Sequence, residues 1–176
     1  TDSACFLAAG IVSALGIGIT ANLAALQNAP TPPQLLPRTL GSAQETVPYK
    51  LLADVALTDI ETRLSRSLDL AIQQALDGAN LSTRERREMG LFVGSSSFDI
   101  SVSEHCYQQA RLVRGAAIPL DGSPSFGKLA DTVRKRYGLF SPEFSFNTAC
   151  TSSANALWYA SRLLATGTIR HARSEE

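Results

Sequence analysis

Two rhythms of apolar residues run through this chain, and each predicts its own elements. Cys5–Val12 and Met89–Ser95 are continuous apolar runs. Unbroken apolarity suits strands covered on both faces, as in a layered α/β fold. The first run enters the turn Ser13-Ala14-Leu15-Gly16-Ile17-Gly18. Thr20 then stands where it can cap a helix running through Asn28, with Leu23 and Leu26 facing inward. The second run enters the small-residue turn Gly94-Ser95-Ser96-Ser97. Phe144–Thr148 alternates apolar and polar residues and predicts a third strand.

Helical spacing accounts for most of the rest. Thr58 and Glu61 form a capping box ahead of a helix. Its apolar face carries Ile60, Leu64, Leu68, Ala71, Ile72, Ala75 and Leu76, and it ends near Asp77-Gly78. Ser101–Val113 reads as a helix, and residues 114–124 read as loop. Phe126–Tyr137 is a helix with Phe126, Leu129, Ala130, Val133 and Tyr137 on one face, stopped by Gly138. Ser152–Thr166 carries Ala156, Leu157, Ala160, Leu163 and Leu164 at helical spacing, and Gly167 ends it. Ile169 would begin a further strand, but the polar run Arg170–Glu176 does not continue the pattern. Between residues 29 and 50 lie Pro30, Pro32, Pro33, Pro37 and Pro48, which predict an irregular surface excursion.

The 176 residues suit one domain with a real core, and the hydrophobic share of 44% is that of a globular protein. Formal net charge is zero, from 16 basic and 16 acidic residues, which argues against nucleic acid or an anionic membrane as partner. Arg84, Arg86 and Arg87 are interrupted by Glu85 and Glu88 and read as a solvated face. The opening apolar run lacks a basic front end and is broken by Gly10, Gly16 and Gly18, so neither a signal peptide nor a membrane span is expected. Cys5, Cys106 and Cys150 form no C-x-x-C pair, and no Cys/His spacing suits zinc, so no metal is expected. Sparse free thiols suit a reducing cytoplasm. Neither G-x-x-x-x-G-K-[ST] nor G-x-G-x-x-G follows the Met89 strand, which argues against a phosphate cradle there.

The chemistry concentrates at Phe144–Leu157, F-S-F-N-T-A-C-T-S-S-A-N-A-L. The pattern places Cys150 on a sharp strand-to-helix turn, at or just before a helix N-terminus. The unpaired N–H groups and dipole of that terminus favour negative charge, and the thiolate is the nucleophilic form of cysteine. The small neighbours Ala149, Thr151, Ser152 and Ser153 leave room for a tight turn and a substrate. The alternative is a buried cysteine acting as a small hydrophobe. Thr148, Thr151 and Ser153 are candidate neighbours of a bound substrate, and turn and cap chemistry explains them equally well.

Asn147-Thr148-Ala149-Cys150-Thr151-Ser152-Ser153 resembles the active-site elbow of the β-ketoacyl-acyl-carrier-protein synthases, condensing enzymes of the thiolase fold. The likeness extends over nearly the whole chain, with one departure. Where the family often has Gly-Pro-Ser before the cysteine strand, this chain has Ser141-Pro142-Glu143. The resemblance implies an α/β chain forming the N-terminal half of a layered α-β-α thiolase-like fold, with a mixed sheet and buried helices. It implies that Cys150 accepts an acyl chain as a thioester, with its own backbone N–H donating to the oxyanion. No cofactor is implied beyond the phosphopantetheine that carries substrates on acyl carrier protein. The partners implied are that carrier protein and a second synthase subunit, in a homodimer or heterodimer. In the family a decarboxylative Claisen condensation with malonyl-carrier protein follows, using two histidines, a lysine and a Gly-Phe-Gly-Gly loop from the C-terminal half. Those motifs do not occur in these 176 residues, and His105 and His171 lie outside the positions where the histidines belong. The competing expectations are a non-catalytic subunit that binds a full synthase or a carrier protein, and a thiol acyltransferase or thioesterase acting alone.

Overall fold

The computed structural model describes residues 4–29, 32–40, 42–52, 60–96, 100–112, 126–139 and 142–175. These divide into two units, one spanning residues 6–80 and the other residues 81–176 with the start of the chain.

In the first unit, β1 (Val12–Ser13) and β2 (Gly16–Ile17) pair antiparallel as a minimal hairpin, and α1 (Ile19–Gln27) follows. Of the strand predicted over Cys5–Val12, only Val12 is in a strand. Residues 4–11 have no strand partner, and Phe6 is 85% exposed. Apolar content alone makes no strand; a neighbouring backbone must accept and donate the ladder bonds. The cap of α1 also differs from the sequence expectation. Gly18, at φ +93°, is the N-cap, and Thr20 falls inside the first turn. Buried Asn22 organises this start: its Nδ2 donates to Gly16 O (2.9 Å) and Gly18 O (2.8 Å), and the Ser13 hydroxyl donates to its Oδ1 (2.5 Å). Leu23 and Leu26, expected to face inward, are exposed rather than packed.

The proline-rich stretch is regular where irregularity was expected. β3 (Gln34–Leu40) and β4 (Ala43–Tyr49) form an antiparallel ribbon with Pro37 opposite Thr46 and Pro48 opposite Leu35. In a two-stranded ribbon each strand keeps one open edge, where a missing N–H removes no ladder bond. α2 (Ile60–Ala79) buries Ile72 and Leu76 and half-buries Leu64, Leu68, Ala71 and Ala75, the predicted face. The Thr58 capping box lies outside the described residues. The helix ends at Asn80, at φ +49°, rather than at Gly78; asparagine is the residue after glycine that tolerates the left-handed region.

The second unit begins with α3 (Thr83–Arg87), a single turn held by a capping box that the sequence reading missed. Glu85 N donates to Ser82 Oγ (3.3 Å), and Ser82 N donates to Glu85 Oε2 (2.8 Å). Exposed Arg84 pairs with Glu88 at 3.0 Å, as a solvated face does. β5 (Met89–Gly94) follows and is buried throughout. α4 (Ile100–Leu112) and α5 (Phe126–Tyr137) come next, then β6 (Glu143–Phe146), α6 (Ser152–Ala165) and β7 (His171–Glu175). Gly138 and Gly167 stop α5 and α6 in the left-handed region, at φ +64° and +66°.

β7 is the further strand that the polar tail had argued against. It pairs parallel to β5, with Met89 opposite His171, while β6 pairs parallel to the other edge, with Leu91 opposite Glu143. The open edge of β5 recruits this backbone whatever side chains it carries, and Ala172 reaches the core. The sheet order is β6-β5-β7. On one face Phe92 packs with Ala156, Ala160 and Ile169, joined by Phe144, Phe146, Tyr159, Leu163 and Leu164. Leu91 and Val93 alternate with Phe92 onto the other face and are equally buried. α5 packs against β6 and β5 and buries Ala130 and Val133.

Glu143, at the start of β6, lies 3.5 Å from Arg134 of α5. Burial nevertheless raises its carboxyl above the ordinary carboxylate range, outweighing the attraction of that guanidinium. A raised folded-state pKa favours folding below the unfolded value, and the advantage is lost as pH rises through the folded value. Glu143→Gln should therefore gain on wild type in urea midpoint between pH 4 and pH 7; an unchanged difference across that range would contradict this sign.

Candidate functional site

The candidate site is the passage from β6 to α6. β6 delivers the chain along the edge of β5, and Ser95 N donates to Phe146 O (3.1 Å), prolonging the pairing past the strand end. Asn147 and Thr148 leave the sheet. Ala149 then takes φ +52°, a left-handed conformation unusual for a residue with a Cβ. A single 3-10 turn, Ala149–Thr151, leads directly into α6. Cys150 sits in that turn, exposed and in no disulfide. Among the described residues no hydrogen bond uses its backbone N–H. No charged side chain occurs between Phe144 and Ser161, so the N-terminal end of α6 is the nearest source of positive potential along the chain.

The turn is tied by its own side chains. The Thr151 hydroxyl donates to Thr148 O (2.8 Å) and lies 3.1 Å from the Thr148 hydroxyl. Asn155 Nδ2 donates to Thr148 Oγ1 at 2.8 Å and reaches Thr151 Oγ1 at 3.4 Å. The hydroxyls of Thr148 and Thr151, both candidate substrate contacts, are thus engaged within the turn. Ser153 is half-buried in the first turn of α6. Beneath them Ser152 is buried, accepting from Thr148 N (2.9 Å) and donating to Ala149 O (2.7 Å).

α6 is held on the sheet by aromatic packing. Tyr159 meets Phe144 edge-on at 4.8 Å and Phe146 at 5.8 Å, and Phe92 stacks on Phe144 at 5.5 Å. The end of β5 presses against the start of α6, since a Cβ on Gly94 would lie 2.6 Å from Ser152 O. Leu157, expected on the inner face, is partly exposed, and Trp158 is more so, at 63%. The roles of Gly94, Ser152 and Asn155 in shaping the site were not assigned from the sequence. The polar spacing Thr148, Thr151, Asn155 was the available signal for Asn155, because positions i and i+4 share a helix face.

The model of the β-ketoacyl synthase N-terminal domain matches residues 57–172. A search of curated proteins finds no match. Among solved structures, a ketosynthase from Xenorhabdus doucetiae, in complex with its chain length factor, superposes with a TM-score of 0.65 at 21% identity, covering 93% of this chain and 44% of that one. A β-ketoacyl synthase from Burkholderia phymatum gives 0.58 at 19% identity, covering 95% and 44%. A type II polyketide synthase acyl-carrier protein in complex with its ketosynthase bound to the hexaketide gives 0.59 at 17% identity, covering 93% and 48%. At these identities the likeness is one of fold, the thiolase-like fold of the ketosynthases, and the chain spans less than half the length of each structure. The family model covers most of the chain, from α2 through the Cys150 turn to the start of β7, and the chain belongs to the β-ketoacyl synthase family through this N-terminal domain.

Proposed function

We propose that Cys150 is the acyl-accepting nucleophile of a β-ketoacyl synthase that works in fatty-acid or polyketide assembly in the cytoplasm. The observation that carries this reading is an exposed thiol in a strained strand-to-helix turn, beside a backbone N–H with no hydrogen-bond partner among the described residues. In the step proposed, the Cys150 sulfur attacks the carbonyl carbon of an acyl-phosphopantetheine thioester on acyl carrier protein. The carbon–sulfur bond to phosphopantetheine breaks, and the departing thiol takes up the proton that Cys150 gave up. The Cys150 N–H faces the negative charge that builds on the carbonyl oxygen, the kind of donor that lowers such barriers most. Thr151 and Ser153 flank the acyl group, and Thr148 shapes the turn below it. Decarboxylative condensation with malonyl-carrier protein belongs to the whole synthase, in which further groups stabilise the carbanion. A second synthase-type subunit is the proposed assembly partner, by analogy with the relative captured with its chain length factor.

The test is intact-protein mass spectrometry after incubation with a medium-chain acyl-carrier protein. One acyl group should appear on the wild type and none on Cys150→Ala. A folded wild type that takes no acyl group would overturn the reading in favour of a non-catalytic subunit.

A further inference from the structure

We infer that the Ser152 hydroxyl is the positioning group of the elbow, aligning Cys150 and its N–H with a carrier-bound thioester; this rests on the acyl-transfer reading above. Asn22 and Ser152 are the buried polar side chains among the described residues, and Asn22 belongs to the other unit. Ser152 bridges the two backbone groups on either side of the left-handed residue: Thr148 N before it and the carbonyl of Ala149 itself. Its own backbone is backed by the end of β5, where only the missing Cβ of Gly94 allows the contact. The strained peptide ahead of Cys150 is therefore clamped to the rigid strand through one hydroxyl. Without it, Thr148 N loses its buried partner, Ala149 O keeps only the backbone N–H of Ser152, and the turn can relax toward ordinary backbone angles. Cys150 stays exposed after such a relaxation, but the direction of its sulfur relative to its N–H changes.

That distinction sets the experiment. In the 176-residue chain, Ser152→Ala should slow acyl transfer from a medium-chain acyl-carrier protein on the order of 10–100-fold, the scale of a misplacement of about 1 Å. Alkylation of Cys150 by iodoacetamide needs only an accessible thiolate and should stay within about twofold of wild type. Ser152→Thr and Ser152→Val form an isosteric pair that separates the hydroxyl from shape, and Thr should transfer at least about tenfold faster than Val. Equal transfer by Thr and Val, or by Ser152→Ala and wild type, overturns this inference alone. A wild type that is alkylated but never acylated overturns the acyl-transfer reading and this inference with it.

Discussion

Phe92→Ala will cost about 3–5 kcal/mol of stability, the range for removing a buried aromatic ring. Phe92 is fully buried at the centre of β5, stacked on Phe144 and edge-on to Tyr159 at 6.3 Å. Those rings join the two sides of the elbow, since Phe144 lies on β6 before Cys150 and Tyr159 on α6 after it. The measurement is the urea midpoint, with Trp158→Ala as comparison because Trp158 is largely exposed. Trp158→Ala should fall within about 1 kcal/mol of wild type, as substitutions away from buried features do. A Phe92→Ala loss no larger than that of Trp158→Ala would mean that the aromatic cluster does not anchor α6.

The second large effect is expected at Gly94. An alanine Cβ there would sit 2.6 Å from Ser152 O, 2.7 Å from Ser152 C and 2.8 Å from the Cα of Ser153. All three are main-chain atoms, so no side-chain rotation relieves the overlap. Either the end of β5 or the first turn of α6 must move, and Cys150 moves with the latter. Overpacking of this kind costs about 1–3 kcal/mol, and Gly94→Ala should lie at the upper end. The loss should come with reduced Cys150 acylation in the mass-spectrometric assay. Gly167→Ala is the control: nothing among the described residues lies within 4 Å of its added Cβ, so its left-handed φ is what opposes the change, at about 1–2 kcal/mol. Gly94→Ala that matches wild type in both stability and acylation would show that the contact between β5 and Ser152 is loose.

Much of the second unit was legible because its elements are long or strongly patterned. α5 and β6 follow the sequence reading closely, and so does β5, whose unbroken apolar run matches a strand buried on both faces. Gly138 and Gly167 stop their helices as glycine does at a left-handed C-terminus. The Cys150 turn was readable because an alternating strand pattern runs into a helical one over few residues. The misreadings share one cause. Cys5–Ile11 has the composition of a central strand without a strand partner among the described residues, whereas His171–Glu175 has a partner without the composition. Pro37 and Pro48 argue against regular structure, yet the ribbon's open edges make them harmless. At α1, hydrogen bonds to Gly16 and Gly18 hold Asn22 buried, while the apolar Leu23 and Leu26 stay exposed, so apolar spacing did not identify the inward residue.

By itself the sequence determined the α/β class, the limits of α5, the buried strand β5 and the place of Cys150 between strand and helix. These follow from local periodicity, glycine stops and residue size, which act over a few neighbours in the chain. Tertiary structure alone decided which strands pair, that β5 takes β6 and β7 on its two edges, and that Gly94 lets the strand end touch Ser152. Such outcomes depend on backbone groups brought together across tens of residues, and a hydrogen bond between distant partners leaves no period in the sequence.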